Sequence, residues 1–288
     1  MPSTLGYLGP YRLLNVVHNT NTSQIWQAYD DGKQRKIGIK TLVDKYRKDG
    51  RQIGYLRWEF AVGRKVLHPR LIEIYQFDTD KGRPYLAMEW FAGPNMKSLI
   101  HQGAGKIAHL VPKIVEQAAE GLAHFNGAGF VHRDIKPHNF LVGEDGDVKL
   151  IDFALAQRSR EGLARLFARK TRLEGTRSYM APEQIRGAVL DRRADVYSFG
   201  CTVFELIAGT PPFTGANANE LLNRHLKAPV PSLEAANRNV TPEFALLVRR
   251  TMAKNPHDRP ASLSDFLAGL RAKRIYKETP KAPGVSQG

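Results

Sequence analysis

Val131-His132-Arg133-Asp134-Ile135-Lys136-Pro137-His138-Asn139-Phe140-Leu141-Val142, followed by Ile151-Asp152-Phe153, wedges polar chemistry between two apolar, strand-like runs. An aspartate is followed five positions later by an amide, Asn139, and thirteen further on by a second aspartate, Asp152. That spacing offers one base and two hard oxygen donors, a set suited to magnesium and phosphoryl transfer.

Working outward, the chain before this stretch turns helical. Leu110, Val111, Ile114, Val115, Ala118, Leu122 and Phe125 recur every three or four positions and predict one buried helix that stops at Gly127-Ala128-Gly129. Further back, residues 11–90 read mainly as strands. Residues 11–17, 24–29 and 36–42 flank polar turns, the last following an Asp30-Asp31-Gly32 hairpin signal. Helix formers take over at residues 51–67, and residues 71–77 and 85–90 return to a strand pattern. Five strands and one helix are expected there, beginning antiparallel.

Around the opening stretch stand further charged residues in a fixed order: Lys40 on an apolar strand, Glu59 nineteen positions later in the helical run, Glu183 in Ala181-Pro182-Glu183, Asp195 opening an apolar helix, and Arg259 in His257-Asp258-Arg259-Pro260. Together with Asp134, Asn139 and Asp152 this order resembles the eukaryotic-type protein kinase family, closest in style to bacterial Ser/Thr protein kinases, whose catalytic loop reads H-R-D-x-K-x-x-N and whose metal-binding turn reads D-F-G. The resemblance covers about residues 10–270. It implies an α+β, two-lobed protein kinase fold, with a small antiparallel β-rich N-lobe carrying one main helix and a larger, mostly helical C-lobe. The expected divisions are an extension at 1–10, the N-lobe at 11–90, the C-lobe at 91–270 and a flexible basic tail at 271–288.

The resemblance also implies roles. Asp134 would accept or orient the proton of the substrate hydroxyl, Lys136 would neutralise the γ-phosphate, and Asn139 and Asp152 would hold Mg²⁺. Lys40, held by Glu59, would grip the α- and β-phosphates of ATP. Adenine would lie against Val17, Ile25 and Gly38 above and Leu141 below, with Met88 behind and the backbone of Glu89 and Phe91 as hinge. The hydroxyl of Thr176 would bridge Asp134 and Lys136. Asp195 would cap amides of the catalytic loop, and Arg259 would pair with Glu183. The four side chains Lys40, Asp134, Asn139 and Asp152 would meet around a metal-bound triphosphate. The expected activity is transfer of the γ-phosphate of ATP to Ser/Thr hydroxyls of protein substrates; the alternative is a pseudokinase or nucleotide-binding scaffold of weak turnover.

That alternative comes from departures from the family pattern. The glycine-rich loop should fall on residues 18–25, where His18, Thr20 and Ser23 replace all three glycines. Glycine there lets backbone amides approach phosphate without a β-carbon in the way. Thr20 and Ser23 would either offer hydroxyls to phosphate or tie the loop into local side-chain-to-backbone turns. Ala154 stands where the metal-binding turn has glycine, which a non-positive φ permits, and Gly38 replaces an alanine and leaves a roomier roof. Between Asp152 and Ala181 the segment carries Arg158, Arg160, Arg165, Arg169, Lys170 and Arg172, with Thr171 among them. A phosphate on Thr171 would meet several cations, so self-phosphorylation there is expected to stimulate. Leu163, Leu166 and Phe167 share one helical face and would form a short blocking helix when unphosphorylated.

Composition bounds the rest. With 288 residues and 42% apolar content the chain can bury a sizeable core, which excludes a disordered protein. Its one cysteine, Cys201, sits in an apolar helical run, cannot form an internal disulfide, and fits a reducing, cytoplasmic setting as a small core residue. No apolar run reaches eighteen residues and no basic-then-apolar leader opens the sequence, so neither export nor a membrane span is expected. The formal charge of +15 raises nucleic acid as a partner, but the cations are scattered and not interleaved with aromatics, which argues against it.

Overall fold

The computed structural model describes residues 6–159 and 174–282. Its contacts divide the chain into two compact units, one of residues up to Ala92 together with Asp152–Ala154, the other of Gly93–Ile151 and Leu155 onward.

The first unit is a six-stranded antiparallel sheet carrying one long helix. Strands β1 (Tyr7–Leu8), β2 (Tyr11–Asn19), β3 (Ser23–Asp30), β4 (Arg35–Leu42), β5 (Ile74–Asp80) and β6 (Arg83–Glu89) lie in the order β1-β2-β3-β4-β6-β5. One face is dry: Leu8, Tyr11, Leu13, Ala28, Ile37, Ile39, Tyr85 and Ala87 form a single cluster, with Trp26 and Tyr75 packed at its margin. Each large apolar side chain so buried contributes about 1.5–3 kcal/mol. Helix α1 (Gly50–Gly63) begins where the Asp49 carboxylate accepts the amides of Arg51 and Gln52, an N-cap, and it packs against β5 and β6. Glu59, on its buried face, is 2% exposed.

Two boundaries differ from the sequence reading. Within the extension expected at 1–10, residues 7–8 pair with Tyr11 and Arg12 across the Gly9-Pro10 turn and add a sixth strand, with Leu8 in the core. The strand expected at residues 71–77 starts only at Ile74, because Leu71 and Ile72 bury their side chains from a turn closed by the Leu71 amide on the His68 carbonyl.

The second unit is mostly helical. Its elements are α2 (Met96–Gly103), α3 (Val111–Gly127), β7 (Phe130–Val131), β8 (Phe140–Val142), β9 (Val148–Leu150), β10 (Gln157–Arg158), α4 (Pro182–Ile185), α5 (Arg192–Ala208), α6 (Ala218–Lys227), α7 (Leu233–Ala236), α8 (Pro242–Thr251) and α9 (Leu263–Arg271). Helix α3 is the one predicted from the three- and four-residue spacing, and it packs against α5, α9 and β9. Helix α5 is buried almost throughout, Cys201 included, and burial pushes that thiol's pKa up. Among the described residues no helix is long and apolar enough to cross a membrane.

The tail expected to be flexible from residue 271 is docked as far as Glu278. Ile275 and Tyr276 are 5% and 6% exposed, and Asn239 grips the segment from both sides: its amide donates to the Glu278 carbonyl at 2.8 Å and its oxygen accepts the Glu278 amide at 2.9 Å. The Thr241 hydroxyl adds a bond to the Arg274 carbonyl at 2.6 Å. Two apolar residues and a well-placed asparagine outweigh the polar composition of the stretch.

Candidate active site

In the first unit, the alternation of β4 turns Lys40 away from its buried neighbours Ile39 and Thr41. Its Nζ lies 2.7 Å from Glu59 Oε2 and 2.9 Å from Asp152 Oδ1. Burial by itself would lower the lysine's pKa, but Asp152 and Glu59 outweigh it and hold the value raised, so the ammonium stays charged. Burial pushes Glu59 up, with Lys40 pulling it back. The Phe153 amide also bonds the Glu59 carboxylate, so α1 and the turn at Asp152 are tied through one side chain. Asp152 has φ 67°, a left-handed conformation that costs a non-glycine residue about 1–3 kcal/mol and persists because its surroundings fix it. Ala154 is not among the positive-φ residues, in line with the sequence reading.

The turn between β2 and β3 chooses one of the two behaviours expected of it. Thr20 Oγ1 accepts the amides of Ser23 at 2.9 Å and Thr22 at 3.3 Å, and it lies 3.1 Å from the Ser23 carbonyl and 3.0 Å from Ser23 Oγ. The hydroxyls bind each other and the turn. Met88 fills the roof position left open by Gly38: a β-carbon on Gly38 would stand 3.1 Å from Met88 Cγ and 3.4 Å from the Glu89 carbonyl, so the expected extra room is already occupied. Ile25 and Gly38 lie on neighbouring strands, Val17 is 44% exposed, and Glu89 ends β6 with Phe91 just beyond. Leu141 belongs to the second unit, on β8, bridged to Asn95.

In the second unit the loop between β7 and β8 holds Asp134. Lys136 Nζ reaches Asp134 Oδ2 at 2.6 Å and Thr176 Oγ1 at 2.8 Å. The Asn139 amide donates to the Asp134 carbonyl at 2.8 Å and approaches Oδ2 at 3.4 Å, which leaves its oxygen as the atom suited to a metal. The expected bridge of the Thr176 hydroxyl to both Asp134 and Lys136 is divided differently. The hydroxyl serves Lys136, while the main-chain N–H of Thr176 donates to Asp134 Oδ1 at 2.8 Å, because Lys136 already holds the other carboxylate oxygen.

Behind the loop, buried Asp195 accepts the amides of His132 at 2.8 Å and Arg133 at 3.0 Å and the Asn126 side chain at 2.7 Å. Burial raises its pKa and these donors oppose the rise. Arg259 meets Glu183 through two bonds, at 2.6 and 2.8 Å, and also donates to the Ala253 and Arg193 carbonyls. A third buried carboxylate, Glu205, was not singled out from sequence; it accepts the Tyr179 hydroxyl at 2.5 Å and pairs with Lys97. Nothing local marks it, since its partners lie 26 and 108 positions away. Thr171, the neighbouring cations at 160, 165, 169, 170 and 172, and the blocking helix expected around Leu163, Leu166 and Phe167 lie outside the described residues.

Chemically, the first cluster is a fixed cation between two carboxylates. The second is a carboxylate aimed by an ammonium, a main-chain amide and a carboxamide. Among the described residues no three His, Cys, Asp or Glu side chains gather as a metal site.

A fold of this composition, with a lysine–glutamate–aspartate cluster on its sheet and an aspartate loop ahead of a buried Glu–Arg pair, defines a phosphotransferase-type domain. The protein kinase domain family matches residues 11–268, and the chain belongs to that family. It is 34% identical over 262 residues to the serine/threonine-protein kinase PknL of Mycobacterium tuberculosis (strain ATCC 25618 / H37Rv), covering 91% of this chain and 65% of that protein. It is 29% identical over 263 residues to the serine/threonine-protein kinase PrkC of Bacillus subtilis, covering 91% of this chain and 40% of the relative. With the serine/threonine-protein kinase PknB of Mycolicibacterium smegmatis it shares 29% identity over 281 residues, 96% of this chain and 44% of the other. The chain thus spans just under two thirds of the first of these relatives and less than half of the other two.

Proposed function

We propose that the chain is an ATP- and Mg²⁺-dependent protein serine/threonine kinase. The observation that carries this reading is the placement of Lys40 Nζ between Glu59 and Asp152, which keeps a charged phosphate-gripping lysine at a fixed point of the sheet. Lys40 holds the α- and β-phosphates. Asn139 and Asp152 offer oxygens to Mg²⁺, which when bound neutralises charge on the transferred phosphoryl group. Asp134 takes or orients the proton of the incoming hydroxyl, and Lys136 offsets the charge on the γ-phosphate. Val17, Ile25, Gly38, Met88 and Leu141 face adenine, with the backbone of Glu89 and Phe91 as its hydrogen-bonding partner. The substrates are proteins bearing serine or threonine, as the names of the three relatives state for those proteins. Thr171 is the site of stimulatory self-phosphorylation, and a Thr171→Ala chain with full activity would eliminate that part. The buried, unpaired Cys201 accords with a reducing, cytoplasmic compartment. Nucleic acid has no part in the reading.

One observation favours the second reading, a nucleotide-binding scaffold of weak turnover: the Thr20–Ser23 turn satisfies its own amides and hydroxyls, so fewer donors face a phosphate. The two readings part in one assay. Incubated with γ-labelled ATP, the kinase places label on serine or threonine with Mg²⁺ and none with chelator. Thermal stabilisation by ATP without label identifies the scaffold.

A further inference from the structure

Asp134 owes its place to the residue before it, and that residue is strained. Arg133 has φ 72°, a left-handed conformation costing a side-chain-bearing residue about 1–3 kcal/mol. The conformation has to be held from both sides of the peptide unit. On the amide side the holder is Asp195, already described, at 3.0 Å from the Arg133 N–H. On the carbonyl side it is Gln184, whose Nε2 donates to the Arg133 oxygen at 3.0 Å.

The same Nε2 donates its second hydrogen to the carbonyl of Glu174 at 2.8 Å. One carboxamide, 1% exposed on α4, therefore joins the chain before Asp134 to the chain before Thr176. These two segments meet at the catalytic carboxylate, since the Thr176 amide donates to Asp134 Oδ1 at 2.8 Å. The residue between Glu174 and Thr176 is Gly175, at φ 113°; a β-carbon there would stand 2.8 Å from the Arg133 oxygen and 3.2 Å from Gln184 Nε2. The close approach thus excludes any side chain at 175. An ion pair closes the far side, with Arg133 Nη1 3.7 Å from Glu174 Oε2.

We propose that Gln184 is a positioning residue for phosphoryl transfer: its carboxamide clamps the Arg133 and Glu174 carbonyls together and thereby sets the angle at which the Thr176 amide holds Asp134. This rests on the kinase reading given above. The clamp uses both hydrogens of one neutral nitrogen, so neither a carboxylate nor a thioether of the same length replaces it. Misplacing a reacting group by about 1 Å lowers rate by roughly a hundredfold without weakening substrate binding.

The test uses Gln184→Met, which keeps length and bulk but has no donor, and Gln184→Glu, which sets a carboxylate against two carbonyl oxygens. The expected result is a kcat lower by about ten- to a hundredfold in Gln184→Met with KM for ATP within about twofold and a melting temperature lower by only a few degrees. Gln184→Glu loses more, and its activity relative to native rises as pH falls, because a protonated carboxyl regains one donor. Hydrogen exchange at the Thr176 amide, read on the same variants, is faster by about tenfold or more. Native kcat or native exchange in Gln184→Met overturns the proposal. If the native chain transfers no phosphate, the kinase reading fails by itself and the exchange measurement alone decides whether Gln184 holds Asp134.

Discussion

Asp152 and Asp134 each meet a lysine, but the lysines come from different distances and the two carboxylates have different company. Asp152 is gripped by a side-chain cation that comes from 112 positions away and is itself shared with a buried glutamate. Asp134 is held by what stands beside it, Lys136 and Asn139, and by a main-chain amide brought in from Thr176, with Gln184 and Asp195 fixing the chain behind. A place defined by a buried ion pair depends on charge and so on pH. One defined by an ammonium together with several neutral donors depends also on backbone shape, and loses ground in steps when any single donor goes.

The comparison breaks first at the buried pair that lies outside both clusters. Arg259 is fully buried against Glu183, so Arg259→Met leaves an uncompensated carboxylate and lowers unfolding free energy by about 3–5 kcal/mol, read by denaturant titration. A loss under about 1 kcal/mol would mean that this pair does not organise the helical unit. Next, Lys40→Met removes the cation that lies between Glu59 and Asp152; transfer falls by about 10²–10³, while the melting temperature of the helical unit stays put. A tenfold loss or less would show that Asp152 is placed by something other than charge.

Titration sets the buried cation at Asp152 apart from a buried neutral ring, His225, by sign. The folded-state pKa of Lys40 is raised above its ordinary 10.5, so its stabilising contribution is complete below that pH and is lost as pH rises through the raised value. His225 runs the other way. Burial first, then Lys254, pushes it from 6.5 to about 4, and its Nδ1 stands 3.0 Å from the Tyr197 hydroxyl. The unfolded chain binds that proton more readily, so stability is full above pH 6.5 and declines toward pH 4, at up to about 1.4 kcal/mol per unit. Urea titrations at successive pH values should show this slope in the native chain and a flatter one in His225→Gln; equal slopes would refute it.

The smallest effect is expected in the turn that keeps its hydroxyls to itself. Replacing His18, Thr20 and Ser23 together by glycine frees the amides that Thr20 now engages, and ATP affinity rises by roughly fivefold, about 1 kcal/mol. Unchanged affinity in calorimetry would mean that the turn does not limit nucleotide binding.

What could be read from sequence follows the same divide. Lys40, Glu59, Asp134, Asn139, Asp152, Glu183, Asp195 and Arg259 stood out because their order along the chain resembles the kinase motif series. The buried helix α3 announced itself through its spacing. What stayed hidden was support supplied by backbone or by neutral side chains, together with Glu205, whose partners are remote in sequence. The two-residue strand Tyr7–Leu8 is too short to carry a period, and it forms because Leu8 finds the sheet's dry face. Residues 272–278 read as polar tail because the asparagine that anchors them sits 39 positions from Glu278. Gln184 looks like any helix residue until both carbonyls it serves are located. Likewise Thr176 was expected to act through its hydroxyl, and it is the featureless part of the residue, its N–H, that touches Asp134.

On the kinase reading, Asp134 serves the transfer step and not the binding of nucleotide. Single-turnover transfer of labelled phosphate from ATP and Mg²⁺, measured on the native chain and on Asp134→Asn alongside ATP affinity, tests it most directly. The expected result is an affinity within about twofold of native and transfer reduced by about 10³. Equal transfer by the two chains would contradict it.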